Sequence, residues 1–426
     1  MSDGIGSFES YVQRRLRVGG RAMLDKQNPY FLPIDRVREE AARQGIEFLS
    51  FAHYDYLDLA RNTEVRGAMV DALERIGPGV GASRLVGGER IGHRAFEHDL
   101  AEFLGMPATI TLVSGYLTNL SLIPHVAGGR DLVILDELVH NSIVTATQGR
   151  SSTNTAFFRH NDLDHLESIL EKRRGEFRNV LIAVESLYSM DGDVVDLPRL
   201  LAIKERHRAW LLVDEAHSIG VLGDTGRGIA EHFGVDPKRI DLITGTLSKT
   251  FVTAGGFVAA SEAAVEFMRY SLPGFVFSVG LPPMVTEGAH TALNILRQEP
   301  ERVARLRHNA EYFCAEATRR GLDIGVAIGR GVVPILFHSA EETMAVATAL
   351  FAQGIYAPPI VHIGVPREAP RIRFFISAGH DEAKIDRVLD AIASAVADHR
   401  AGRLVSVMPT DGSNDDRMLA EAADSV

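Results

Sequence analysis

Cysteine is nearly absent. Cys314 is the only one in 426 residues, which excludes an intrachain disulfide and any metal cluster built on cysteine thiolates. Its place on an apolar helical stripe makes it an inert core thiol. Positive charge is scarce too: lysine and arginine number 45 against 56 aspartates and glutamates, a net charge of -11. That balance denies the chain the basic surface that nucleic-acid backbones require. No apolar run reaches the roughly 18 residues that span a bilayer, and residues 1–7 contain no signal-peptide core. These absences lead us to expect a cytoplasmic protein with no metal, no nucleic-acid partner and no transmembrane segment.

What is present is apolar bulk in a regular alternation. At 46% hydrophobic content the chain can bury a sizeable core, enough for a large domain and a smaller one. Short apolar runs at 110–113, 132–135, 156–158, 180–184 and 210–213 are separated by helix-length segments such as 163–173 and 197–207. That rhythm predicts an α/β fold, a mostly parallel sheet with helices on both faces. Ligands of such sheets sit beyond the carboxyl ends of the strands. There fall Ser114-Gly115-Tyr116, Asp136, His140, Glu185, Ser189, Asp214 and His217.

The stretch that organises the rest is DLITGTLSKTFVTAGG at 241–256, read with VDEAHS at 213–218. Asp241-Leu242-Ile243 reads as the end of a buried strand, and Thr244-Gly245-Thr246 as the turn off it into a polar segment carrying Ser248 and Lys249. Small residues and Gly255-Gly256 follow, leaving room for a flat cofactor. A lysine here, with an aspartate and a histidine ending an earlier strand, supplies what a pyridoxal phosphate site requires: an amine for the aldehyde and an anion beside the pyridine nitrogen. In isolation Lys249 reads as a solvated loop residue. Asp214-Glu215-Ala216-His217 also spells a helicase box, but that reading needs a GxxxxGK[ST] phosphate loop, and 245–250 has Ser248 where the second glycine must stand.

Each polar group then has a job. The backbone amides of Ser114-Gly115-Tyr116, between a strand and a helix, could cradle a phosphate at the positive helix end. Asp214, emerging from a buried strand, would keep a pyridinium protonated and make the cofactor an electron sink. His217 could hydrogen-bond the cofactor phenolate and His140 could stack on the ring. The hydroxyls of Thr246 and Ser248 could reach phosphate, or serve as ordinary turn formers.

Residues 1–55 read as an N-terminal arm, helical and charged, broken at Asn28-Pro29 and Pro33. Residues 56–290 read as the large cofactor-binding domain. The glycine-rich loop at 79–88 lacks the spacing of a dinucleotide fingerprint and reads as a flexible turn. Residues 291–400 alternate helices with short strands, a small α+β domain, and 401–426 read as a disordered tail. Arg371-Ile372-Arg373 puts two guanidinium groups on one face of a strand, either able to clamp a carboxylate in bidentate fashion.

From about residue 20 to 400 the chain resembles the α-oxoamine synthases, fold-type I (aspartate aminotransferase-like) pyridoxal phosphate enzymes that include serine palmitoyltransferase, 8-amino-7-oxononanoate synthase, 5-aminolevulinate synthase and 2-amino-3-ketobutyrate CoA ligase. The segments that carry it are GVGASRLVGGERIGHRAFE, SGYLTN, DELVHNS, FRHND, ESLYSMDGD, VDEAHSIGVLGDTGRG, GTLSKTFVTAGG, FVFSVGLPP and RIRFFISAGH. The resemblance implies that Lys249 takes the cofactor aldehyde, Asp214 meets the pyridine nitrogen, His217 faces the phenolic oxygen and His140 stacks on the ring. It implies phosphate binding by Gly115, Tyr116, Thr246 and Ser248, with Ser278 reaching in from the other subunit of a homodimer. It makes Arg371, the first arginine of its strand, and Ser189 the holders of a substrate carboxylate.

Two positions depart from the family pattern. Tyr54 stands where an asparagine orients the amino acid, which leaves the choice of amino acid open. Val252 stands where the residue after the phenylalanine is glycine, a less permissive backbone beside the lysine. The implied reaction is decarboxylative condensation of a small amino acid with an acyl thioester, carried by CoA or by a carrier protein, to an α-amino ketone. The alternatives are another fold-type I enzyme, an aminotransferase or amino acid lyase, and a non-catalytic subunit of a heterodimeric synthase.

Overall fold

Continuous apolar runs, rather than alternating ones, make the central strands: Leu132–Asp136 and Val180–Glu185 are buried at every position, as a parallel sheet covered on both faces demands. The computed structural model describes residues 7–15, 32–149, 151, 154–361 and 369–404. Its strands are β1 (Leu49–Ser50), β2 (Ala108–Leu112), β3 (Leu132–Asp136), β4 (Thr155–Phe158), β5 (Val180–Glu185), β6 (Trp210–Asp214), β7 (Leu242–Thr246), β8 (Gly256–Ala260), β9 (Val332–Leu336), β10 (Ile355–Tyr356), β11 (Pro359–Ile360) and β12 (Arg371–Phe375).

One sheet takes seven of them in the order β2-β8-β7-β6-β5-β3-β4. From β4 to β7 the pairings are parallel, and β8 runs antiparallel to both β7 and β2. This is the mostly parallel α/β sheet expected from the alternation. Its register gathers one edge: Glu185 pairs with Asp214, Asp214 with Thr244, and both Thr246 and Leu112 with Gly256.

The sequence reading of Thr244-Gly245-Thr246 as a turn is corrected here, because β7 continues through them, opposite Val258, Phe257 and Gly256. Gly245 is a strand residue for a packing reason: a Cβ there would lie 2.5 Å from the Phe257 ring.

The described residues of Met1–Ala52, Ile335–Arg373 and Arg387–Val426 form one compact unit, and those of His53–Pro334 with Phe374–Asp386 form the other. The larger unit holds the seven-stranded sheet. It also keeps the helices Pro283–Gln298 and Glu301–Arg319. Packing explains this, since Pro283–Gln298 lies along the helix Thr63–Ile76. That helix is capped by Asn62, whose side chain accepts from the amides of Glu64 and Val65 at 2.8 and 3.2 Å.

In the smaller unit β1 pairs parallel with β10, and β11 pairs antiparallel with β12. The helix Ala340–Ala352 there is tied by an ion pair between Glu342 and Arg400 at 3.0 Å. Cys314 is half-buried, and burial pushes its thiol up to about 11. Among the described residues no helix is long and apolar enough to cross a membrane. The Asn28-Pro29 break and residues 405–426 of the expected tail lie outside the described residues.

Candidate active site

The gathered edge of the sheet belongs to the larger unit. Lys249 comes just after β7, half-buried, with its Nζ 5.7 Å from the centre of the Tyr54 ring, a separation at which a ring face attracts a cation. Tyr54 packs edge-on against Phe375 at 4.5 Å and His217 at 6.0 Å, and His217 lies nearly parallel to Phe375. An aromatic wall thus stands beside the amine.

At the ends of β5 and β6 two acids are buried side by side. The Asp214 carboxylate accepts from Asn119 Nδ2 at 2.7 Å and from the Ala216 amide at 2.9 Å. Glu185 accepts from the Ser189 amide at 3.2 Å through Oε2, while its Oε1 has no hydrogen-bond partner among the described residues. Burial raises the Glu185 carboxyl to about 8; Asp214's charge adds to the rise and the Lys249 ammonium opposes it.

Two histidines are held by named partners. His217 places Nδ1 2.7 Å from the Tyr56 hydroxyl, and both residues are buried. His140 caps the short helix Asn141–Thr145. Its Nδ1 accepts from the Ser142 amide at 3.3 Å and lies 2.8 Å from the Ser142 hydroxyl, so in the neutral ring Nε2 carries the proton. Asn119 also donates to that hydroxyl at 3.0 Å, which links His140 to Asp214 through Ser142 and Asn119.

The helix Gly115–Val126 starts beside the end of β7. Ser114 caps it by accepting from the Leu117 amide at 3.4 Å, and the first-turn amides of Gly115 and Tyr116 have no intrahelical acceptor. A Cβ on Gly115 would stand 2.9 Å from Thr246 Cβ, and one on Gly256 would stand 2.6 Å from Gly115 Cα. Only glycines let helix and strands approach this closely. The Thr246 and Ser248 hydroxyls are 2.8 Å apart beside them.

The structure therefore brings Ser114, Gly115, Tyr116, His140, Glu185, Ser189, Asp214, His217, Thr246, Ser248, Lys249 and Tyr54 to one region of the larger unit. Ser278 is half-buried after the helix Pro273–Val276, between the exposed Phe277 and Val279. Arg371 and Arg373 belong to the smaller unit, where Arg371 is buried and its Nε donates to the Ala369 carbonyl at 3.2 Å.

Sequence reasoning gave no role to Tyr56, Asn119, Ser142 or Phe375. A signal existed for one of them. Asn119 lies four residues after Gly115, on the same face of the helix. The others are joined to the site by folding alone.

Residues 46–392 match the aminotransferase class I and II family. An 8-amino-7-oxononanoate synthase from Fervidobacterium nodosum is 37% identical over 81% of this chain and 88% of its own. One from Methylorubrum extorquens is 39% identical over 83% of this chain and 87% of its own. Among solved structures, a serine palmitoyltransferase from S. paucimobilis with bound PLP and myriocin superposes with a TM-score of 0.79, at 28% identity over 87% of this chain and 98% of the other.

Proposed function

We propose a decarboxylative condensation of a small amino acid with an acyl thioester for this chain, which belongs to the aminotransferase class I and II family and, within it, to the α-oxoamine synthases, fold-type I acyltransferases that depend on pyridoxal phosphate. The single observation that carries the reading is the cluster at one sheet edge: an amine, a buried carboxylate and a glycine-lined helix start. We place the enzyme in the cytoplasm as a homodimer.

The residues suit the cofactor by their chemistry. The Gly115 and Tyr116 amides, with the Thr246 and Ser248 hydroxyls, offer donors to a phosphate at a helix start. The approach that a Cβ at Gly115 or Gly256 would block leaves backbone rather than side chain there. Asp214 offers an anion already held by two hydrogen bonds, and Lys249 offers the amine. Ser278 of a second copy is the remaining phosphate donor in this reading, beside the apolar Phe277 and Val279 that such a contact would cover.

When bound, pyridoxal phosphate supplies an electron sink for charge left on the α-carbon of the amino acid. The chain does the rest. Asp214 would set its carboxylate against the ring nitrogen, and burial together with the Asp214 charge pushes the Glu185 carboxyl beside it up, toward the protonated form. Lys249 takes the α-proton and returns one, with its amine beside the Tyr54 ring. His140, whose Nε2 carries a proton, donates to the thioester carbonyl as the new carbon–carbon bond forms. Ser189 holds the substrate carboxylate until it leaves as carbon dioxide, a task the resemblance also gives to Arg371, and the thiol carrier departs. His217, fixed by Tyr56, would face the phenolic oxygen of the bound cofactor.

The test is a matrix of glycine, alanine and serine against short and long acyl thioesters, on CoA and on a carrier protein, read as free thiol. Thiol release that needs an amino acid and disappears in Lys249→Ala supports the reading. Amino-group transfer without thiol release would replace it with an aminotransferase, and a wild-type chain without a cofactor absorbance band would make it a non-catalytic subunit.

A further inference from the structure

A second charged cluster lies at the same edge, and none of the steps above uses it. His160 follows β4, and its ring bridges two carboxylates, with Nδ1 3.0 Å from Asp136 Oδ1 and Nε2 2.9 Å from Asp193 Oδ2. A ring that meets a carboxylate at each nitrogen carries both protons, since a neutral imidazole has one to donate. Burial opposes that charge, but the hydrogen bonds and charges of Asp136 and Asp193 outweigh it and raise the group to about 10.

Each carboxylate holds a segment of chain. Asp136, ending β3, accepts from the amides of Leu138 at 2.8 Å and Asn161 at 2.9 Å, which fixes the turn leading into His140. Asp193 accepts from Asn161 Nδ2 at 2.6 Å, and its carbonyl accepts from the Tyr188 amide at 2.9 Å. With the bridge between Leu187 and Val194, that bond closes the loop carrying Ser189. The buried Tyr188 ring stands edge-on to His160 at 4.4 Å.

We propose that His160 is a positioning residue whose imidazolium clamps the His140 turn to the Ser189 loop, fixing the spacing between the group that meets the thioester and the group that meets the amino acid carboxylate. The proposal rests on the roles given above to His140 and Ser189. Without the charge two carboxylates face one another with only the neutral Asn161, which donates to both, between them, and their repulsion moves the two segments apart. Reacting groups tolerate such displacement poorly, a shift of about 1 Å being able to cost on the order of 100-fold.

The experiment compares wild type, His160→Gln, Asp193→Asn and the double variant as holoenzymes. Amino acid affinity is read by titrating the cofactor absorbance, which requires no thioester, and kcat and the thioester KM are read by thiol release. Expected for His160→Gln is amino acid binding weakened by about 10-fold and kcat reduced by about 10-fold, with full cofactor occupancy and a thioester KM within about twofold of wild type. The double variant should bind no more weakly than His160→Gln alone, because both changes break one link. Should His160→Gln fail to fold, Asp193→Asn carries the same measurement. Wild-type affinity and kcat in whichever single variant folds, with only its melting temperature lowered, would overturn the clamp, as would additive losses in the double variant. If wild type shows no thiol release while the titration changes as expected, the condensation reading fails and the clamp stands.

Discussion

Glu185 and Asp214 are paired in register across β5 and β6, two carboxylates side by side on a buried edge. Burial, and then the Asp214 charge, raise Glu185 from 4.5 to about 8. The folded chain therefore holds a proton that the unfolded chain releases. Its contribution to stability is complete below about 4.5 and is lost as pH rises toward about 8. Denaturant titrations of the full chain across that window should show stability falling with pH. Glu185→Gln should flatten the slope and be more stable than wild type at pH 8. Identical slopes in the two proteins would contradict this account of Glu185.

Asp214→Asn should fold with little loss of stability and lose several orders of magnitude in rate, because the anion that holds the ring proton is gone. An Asn amide oxygen can still accept from the Asn119 side chain while its NH2 turns toward the Ala216 amide, so one of the two local hydrogen bonds survives. Steady-state thiol release beside a melting curve separates the two effects. A rate within about threefold of the parent would remove Asp214 from the proposed chemistry.

Val252 sits at φ +47°, a left-handed conformation that a β-branched side chain disfavours, in the turn where its amide donates to the Lys249 carbonyl at 2.9 Å. Val252→Gly relieves that strain and adds some unfolded-state entropy, so the net gain in stability should be about 0.5–1 kcal/mol. Urea unfolding at neutral pH reads it directly. A clear loss of stability would mean that packing of the valine outweighs its backbone strain.

Arg371→Ala should raise the amino acid KM by about 100-fold, of the order of losing 3 kcal/mol from a charged bidentate pair. Arg373→Ala should leave it near the wild-type value, and neither variant should move the thioester KM as far. Kinetics with the two arginines exchanged in effect would reassign the clamp. Mixing Lys249→Ala protomers with Ser278→Ala protomers adds a check on the shared site, since recovered activity requires Lys249 and Ser278 to come from different copies.

The larger lesson concerns which facts were local. Strand runs such as Val180–Glu185 and helices such as Thr63–Ile76 follow from apolar periodicity, a property of neighbouring residues, and the stop at Gly77 follows from its φ of +102°. The polar residues ending β2, β5, β6 and β7 were legible for the same reason, because a parallel sheet aligns those ends on one side. Folding alone decided the rest. Nothing near Thr244 in the chain says that Phe257 will fill the space beside Gly245 and keep the strand going. The hydrogen bond between Tyr56 and His217 spans 161 positions and that between Asn119 and Asp214 spans 95. His160 meets Asp136 and Asp193 only because β4, β3 and β5 are neighbours. The sequence by itself determined the elements, the sheet edge and the chemical groups available there, since these depend on short-range pattern and residue type. The tertiary structure decided which groups touch, which carboxyl burial pushes up and which histidine lies between two carboxylates, because burial and charge proximity are set by contacts between residues distant in the chain.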